Sequence, residues 1–294
     1  TSSGIIQGIS GEGLNGGQTN RGYVAIGASL FASDSISTTF DNDGIIRGLS
    51  DTSYARGVVE SNKVGTFDNS GTILGQTDTN GATGMESAYT SRSMDTLNNS
   101  GTISGVTGTN DAYGIQLYKS SYGTINNSGT INATATTSAS YGVYLYGSYG
   151  GNATITNFNN TGTISASSGT TNSYGFLIGG YGDGLVTNFT NTGTISSSVG
   201  SGSDVFDIYL NATAGYMFGI TPDPTITNLN NSQGKNGNDV LTYKGKLPTN
   251  YYVKVNSSSS YGKITVSNPQ GSMNVGIADD STLTEGTYEA VVSG

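Results

Sequence analysis

The chain has no cysteine, no histidine and no tryptophan. Without thiols there is no disulfide framework and no thiolate metal site. Proline is missing from most of the chain, since all four residues fall at Pro222, Pro224, Pro248 and Pro269. No run of residues approaches the 18 or so apolar positions of a membrane-crossing helix. Positive charge is scarce: 11 Lys and Arg stand against 20 Asp and Glu, for a net charge of −9. Residues 1–234 carry 6 basic and 15 acidic side chains, and residues 235–294 carry 5 of each, so the excess sits on the first part. An acidic surface of this kind repels phosphate backbones and argues against nucleic acid as a partner. Solubility is the plainer reason for it. Apolar residues make up only 33% of the 294. That is too few for a large three-dimensional core, but enough for a narrow one in which each layer needs only a few inward side chains.

What the chain has instead is 46 glycines, abundant Ser, Thr and Asn, and one phrase written five times: FDNSGTILG, LNNSGTISG, INNSGTINA, FNNTGTISA and FTNTGTISS. Its central glycines are Gly71, Gly101, Gly129, Gly162 and Gly193, and weaker copies place Gly44 and Gly4 before them. Successive separations are 40, 27, 30, 28, 33 and 31 residues. A second phrase recurs between the anchors (ARGVVES, ATGMESA, AYGIQLY, SYGVYLY, SYGFLIG), with Gly57, Gly84, Gly114, Gly142 and Gly175 each 13 residues after an anchor. The return distances vary: 14, 17, 15, 20 and 18. A constant arc must stack in register on its neighbours, so the varying arcs, such as Gly147 to Asn157 and Gly179 to Thr187, are expected to be loops leaving the stack.

Around both phrases apolar residues alternate, as in Phe67 and Ile73, Ile125 and Ile131, or Val143 and Leu145. Period-two patterning rich in β-branched and aromatic residues predicts strands. Strands repeating every 30 or so residues and stacking about 4.8 Å apart predict an all-β parallel β-helix, or β-solenoid, of about seven coils. Asn69, Asn99, Asn127, Asn160 and Asn191 stand two residues before their anchors. They are predicted to form a corner ladder with the anchor glycines, in a left-handed backbone that Asn and Gly tolerate best, their stacked amides hydrogen-bonding from coil to coil. Gln233 replaces the anchor glycine after the last NNS, so residues 1–234 read as the helix and residues 235–294 as a β-rich cap over its last coil. No comparable cap is legible at the other end, which opens the possibility of end-to-end stacking into a filament. Thr1 follows no charged and apolar leader, so a signal peptide is expected to have been removed or left out.

The NNSGTI repeats, with the tail LTYKGKLPTNYYVKVNSSSSYGKITV and TEGTYEAVVSG, resemble the passenger regions of Gram-negative autotransporter and filamentous-haemagglutinin-type exoproteins. The resemblance implies a right-handed helix, secretion to the cell exterior and frequent adhesive roles, and it carries no fixed catalytic residues. The family's translocating barrel has no counterpart in these residues, which implies a released or excised passenger, or a barrel-free relative.

Chemistry is thinly represented. Asp41 and Asp68 occupy one repeat position on adjacent coils, with Asp43 near, and could hold Ca²⁺; the column continues as Asn98, Asn126 and Asn159, and solvated surface aspartate is the preferred reading. Tyr113, Tyr118, Tyr141, Tyr144, Tyr146, Tyr149, Tyr174 and Tyr181 could form a platform for glycan or protein contact, or simply pack across strands. Glu60 falls on an inward position, where a slip in register is preferred over a buried charge. GISGEGLNGG lacks the strand–helix context of a phosphate cradle. No nucleophile–base pair, cofactor or metal site stands out. The expectation is therefore a non-enzymatic structural or adhesive solenoid outside a Gram-negative cell, self-associating or binding a surface ligand, with a carbohydrate-binding or carbohydrate-active β-helix as the alternative.

Overall fold

The computed structural model describes residues 4–10, 24–30, 39–60, 63–87, 93–148, 151–202, 204–212, 221–235 and 240–294. They form a β-solenoid of about eight turns, with no helix among the described residues. Three parallel sheets make its faces, of seven, nine and ten strands. As far as Thr194–Val199, coils contribute in turn to the seven-strand, ten-strand and nine-strand face. One coil, for example, runs Thr102–Thr107, Ala112–Tyr118 and Ser121–Asn127.

Register is what turns the repeat into a core. On the seven-strand face Ile46, Ile73, Ile103, Ile131, Ile164 and Ile195 are paired strand to strand, each fully buried. The nine-strand face supplies the column Phe67, Leu97, Ile125, Phe158, Phe189, Leu229 and Tyr251. The ten-strand face supplies Val58, Met85, Ile115, Val143, Phe176, Ile208 and Tyr243. Three columns facing one axis give the narrow apolar spine that the composition allows. No coil could bury its own strip, and stacking does it for all of them.

Three expectations from the sequence take a different or more detailed form in the structure. The first concerns the varying arcs. Strands lengthen from six residues, as in Ala55–Glu60 and Ala82–Ser87, to eight in Ser140–Gly147, Ala153–Asn160, Ser173–Gly180 and Gly184–Asn191. Of the Gly179–Thr187 arc only residues 181–183 lie between strands, and of the Gly147–Asn157 arc only 148–152. Added residues gain ladder hydrogen bonds by prolonging the sheets, so much of the extra length stays in the stack.

The second concerns residues 235–294. Leu241–Lys246 and Ile264–Gln270 pair onto the ten-strand face, and Asn250–Val253 and Asn274–Ile277 onto the nine-strand face, all in parallel. The segment therefore prolongs two faces of the solenoid. Among the described residues only the seven-strand face stops, at Thr194–Val199, and a small antiparallel sheet of Gly234–Lys235, Ser260–Gly262 and Val255–Ser257 follows in the chain.

The third is Glu60. Its register does not slip: it pairs with Leu30 and Ser87 and is fully buried. Nearby, Ser87 bonds the Tyr122 hydroxyl, which donates to the Tyr118 carbonyl at 2.8 Å.

Ile131 sits in the middle of its column, so Ile131→Ala should destabilise the fold by about 2–5 kcal/mol. Urea unfolding followed by circular dichroism checks this, and a loss under about 1 kcal/mol would mean the column does not carry the core.

Candidate functional site

The corner phrase builds a ladder through the molecule. The side-chain amide of Asn42 donates to Asn69 Oδ1 at 2.7 Å, and the pattern continues Asn69 to Asn99 (2.7 Å), Asn99 to Asn127 (2.7 Å), Asn127 to Asn160 (2.8 Å), Asn160 to Asn191 (2.8 Å) and Asn191 to Asn231 (3.1 Å). These side chains point inward and are buried. Each corner also leans on the one before: the backbone N–H groups of Ser128 and Gly129 both donate to the Asn99 carbonyl, at 2.8 and 3.0 Å.

The corner is not left-handed. Among the described residues only Asn268 and Ala290 have positive φ outside glycine, and no anchor glycine does. Glycine is needed there for room instead. A Cβ on Gly71, Gly101, Gly129, Gly162 or Gly193 would stand 2.0–2.1 Å from the carbonyl oxygen of the preceding anchor. Gly129→Ala should therefore cost about 1–3 kcal/mol or more as an overpacked site, read as a fall in the urea midpoint; an unchanged midpoint would refute the clash.

Two outward asparagine columns accompany the ladder. One joins Asp68, Asn98, Asn126 and Asn159. The other runs from Thr124 through Asn157, Asn188, Asn228 and Asn250 to Asn274, with links of 2.8–3.3 Å. In the second column Asn157, Asn188 and Asn228 were legible as a recurring TN three residues before the corner asparagine, but periodicity of the apolar residues does not flag them.

The aspartate candidates do come together. Asp41 and Asp68 are register partners and, with Asp43, line a shallow depression alongside Ser70 and Ser100. Asp68 already accepts from Asn98 Nδ2 at 2.7 Å. Among the described residues no group of three or more acidic, His or Cys side chains could hold a metal ion.

The tyrosines form a patch on the ten-strand face. Tyr113, Tyr141 and Tyr174 are register partners, as are Tyr118 and Tyr146. The rings of Tyr113 and Tyr141 lie 4.9 Å apart at 8°, and Tyr144 stacks on Tyr141 at 5.3 Å and 18°. Tyr146 meets Tyr118, Tyr144 and Tyr181 edge-on. Tyr149 lies outside the described residues. Faces of Tyr113, Tyr141 and Tyr144 are thus turned against one another, which is poor geometry for stacking a sugar ring on them. Burial pushes the phenols of Tyr113, Tyr141, Tyr144 and Tyr174 well above the usual range, with Asp111 adding to it for the first two and Asp204 for the last. Beyond Tyr174, Lys244 lies over Phe206 and Tyr209 and pairs with Asp204 at 2.5 Å. Lower on the same face Arg56 pairs with Glu86, whose carboxyl is raised by burial and partly restored by that guanidinium.

Sequence reasoning missed how the seven-strand face ends. Gln233, at the anchor position, accepts from Ile195 N–H at 2.8 Å through Oε1 and donates to the Ile195 carbonyl at 2.9 Å through Nε2. Its primary amide thus pairs with both backbone groups of Ile195, as a peptide group of a neighbouring strand would. Asp207 serves the same strand end: Oδ1 accepts from Ser197 Oγ at 3.1 Å, and Oδ2 from Thr242 N–H at 2.9 Å. The only sequence signal was a break in two glycine columns, since Asp207 lies across from Gly175.

Asp207 makes this end sensitive to pH. Burial raises its pKa from 3.8 to about 6, against the lowering effect of the Thr242 and Ser197 hydrogen bonds. Between those values the folded chain holds a proton that the unfolded chain has released. Unfolding free energy therefore falls as pH rises through this window, by up to about 3 kcal/mol for this group. Asp207→Asn should flatten the fall between pH 4 and about 6, measured by urea unfolding at several pH values; parallel curves for the two proteins would refute the assignment.

No protein-family model matches this chain, and neither does any curated protein or solved structure.

Proposed function

We propose that the chain is a non-enzymatic structural and adhesive element at the exterior of a Gram-negative cell. Secretion and the outer surface rest on the resemblance of its NNSGTI repeats and tail to passenger regions. One observation carries the mechanical part: strands stay in register along each face, so like side chains fall in columns. On the seven-strand face Thr72, Thr102, Thr130, Thr163 and Thr194 are successive partners. A column offers the same group about every 4.8 Å, and a partner engaging several rungs gains avidity without any strong single contact. Contact through flat faces takes the place of contact through long projecting arcs, because those arcs are largely strand. The carbohydrate reading is less supported, since the stacked tyrosines turn their faces toward one another.

Beads coated with the protein should adhere to epithelial cells, bacterial cells or matrix-coated glass more than albumin-coated beads do. Thr102→Glu, Thr130→Glu and Thr163→Glu together should abolish that excess while leaving the melting temperature within a few degrees. Adhesion equal to albumin on every surface would end this reading.

A second reading, end-to-end self-association, is favoured by apolar side chains exposed on the last strand of the nine-strand face, Val275 and Ile277. Because the seven-strand face stops early, such a contact would join only the nine- and ten-strand faces. Sedimentation velocity should then show concentration-dependent species that Ile277→Lys removes; a single monomeric species at all concentrations would dismiss it.

A further inference from the structure

The tyrosine patch has a chemistry that surface contact does not use. Tyr113 and Tyr141 are partners on adjacent strands, with rings 4.9 Å apart and within 8° of parallel. Tyr144 stands 5.3 Å from Tyr141 and 6.0 Å from Tyr113, and Tyr174 stands 5.8 Å from Tyr141. The Tyr113 hydroxyl donates to Asp111 Oδ2 at 3.2 Å. Asp111 is itself held, its Oδ1 accepting from Ser138 Oγ at 2.5 Å and from Ala139 N–H at 3.1 Å. Tyr113 and Tyr141 are both half-buried on the outer side of the sheet, within reach of small solutes. Burial keeps their protons on at any ordinary pH. Oxidation of Tyr113 is easiest when its proton leaves with the electron, and the Asp111 carboxylate already accepts that proton in a hydrogen bond.

We propose that Tyr113 and Tyr141 form a site of oxidative cross-linking, at which hydrogen peroxide and a peroxidase join them as dityrosine and so tie two neighbouring coils covalently. Each phenol gives up one electron and its hydroxyl proton, the proton of Tyr113 passing to Asp111. The two phenoxyl radicals then couple through ring carbons ortho to oxygen, forming one C–C bond. The two ortho hydrogens move to the oxygens and restore both phenols. In sum two ring hydrogens are lost as two protons and two electrons, and one hydrogen peroxide takes them up to become two waters. Tyr144 and Tyr174, the next rings in the stack, are close enough to Tyr141 to pass a radical to the pair.

The test treats the intact chain, dilute, with hydrogen peroxide and a haem peroxidase. A monomer lighter by two hydrogens should appear, with dityrosine fluorescence and a cross-linked peptide pair containing Tyr113 and Tyr141 after digestion. Tyr113→Phe and Tyr141→Phe should each remove that peptide pair, with the far-ultraviolet circular dichroism unchanged. Asp111→Asn, which acts through Tyr113, should slow formation of this pair relative to total tyrosine consumption. Cross-links only between molecules, cross-links spread evenly over the 19 tyrosines, or an undiminished intramolecular yield in Tyr141→Phe would each overturn the proposal.

Discussion

Everything in this molecule depends on how closely one corner can sit on the next. The carbonyl of each anchor glycine presses so near the following anchor that a methyl group between them would overlap it, at 2.0–2.1 Å. That contact marks how closely successive coils approach at the corner. Once it is met, the asparagine two residues earlier is carried into the interior, where its amide can satisfy itself on the coils above and below. A buried primary amide without partners would be costly, and a stack of identical ones removes the cost at every rung. Polar side chains thus serve inside a spine whose apolar content is low, and the 33% apolar composition is sufficient because of it.

The same logic explains how a repeating object stops. A sheet edge presents unpaired N–H and C=O groups, which invite further strands. On the seven-strand face the Gln233 amide meets those groups at Ile195, and the Asp207 carboxylate accepts from the Ser197 hydroxyl beside it. The other two faces continue past this point, where Tyr243, Tyr251 and Tyr261 fill the interior as large buried side chains. Tyr251 shows the transition in one residue. It stands in an apolar column yet accepts from Asn231 at the end of the asparagine ladder. Burial raises its phenol to about 12 although that bond works against the rise.

Register also decides what the outside can do. Stacking converts any residue type favoured at one repeat position into a column, whatever its use. Threonines become a polar stripe, asparagines become hydrogen-bonded rails, and tyrosines become a stacked patch. Loss of slack is the common consequence: rings that would each offer a face to solvent in isolation instead offer edges. Neighbouring tyrosines are thereby brought ring to ring, and like groups recur at strand spacing along a face.

The repeat spacing, the alternation of apolar residues and the glycine anchors were enough to read a stacked parallel solenoid with its inward columns, because each is a local pattern copied at fixed distance. Glu60 was legible as inward, but its burial was not, since nothing in a strand pattern measures whether a charge is tolerated there. The handedness of the corner backbone was beyond the sequence as well. Asn and Gly are favoured both by left-handed φ and by close approach, and only the position of the carbonyl above Gly71 or Gly129 separates the two. Likewise a longer interval between anchors can become a loop or a longer strand, and pairing with the coils on either side decides between them. Where the described seven-strand face ends, and that Asp207 and Gln233 meet its last strand, arises from side chains meeting groups 10 and 38 residues away. Such contacts exist only once the coils are stacked, so the chain alone fixes the rungs and the packed solenoid fixes its ends.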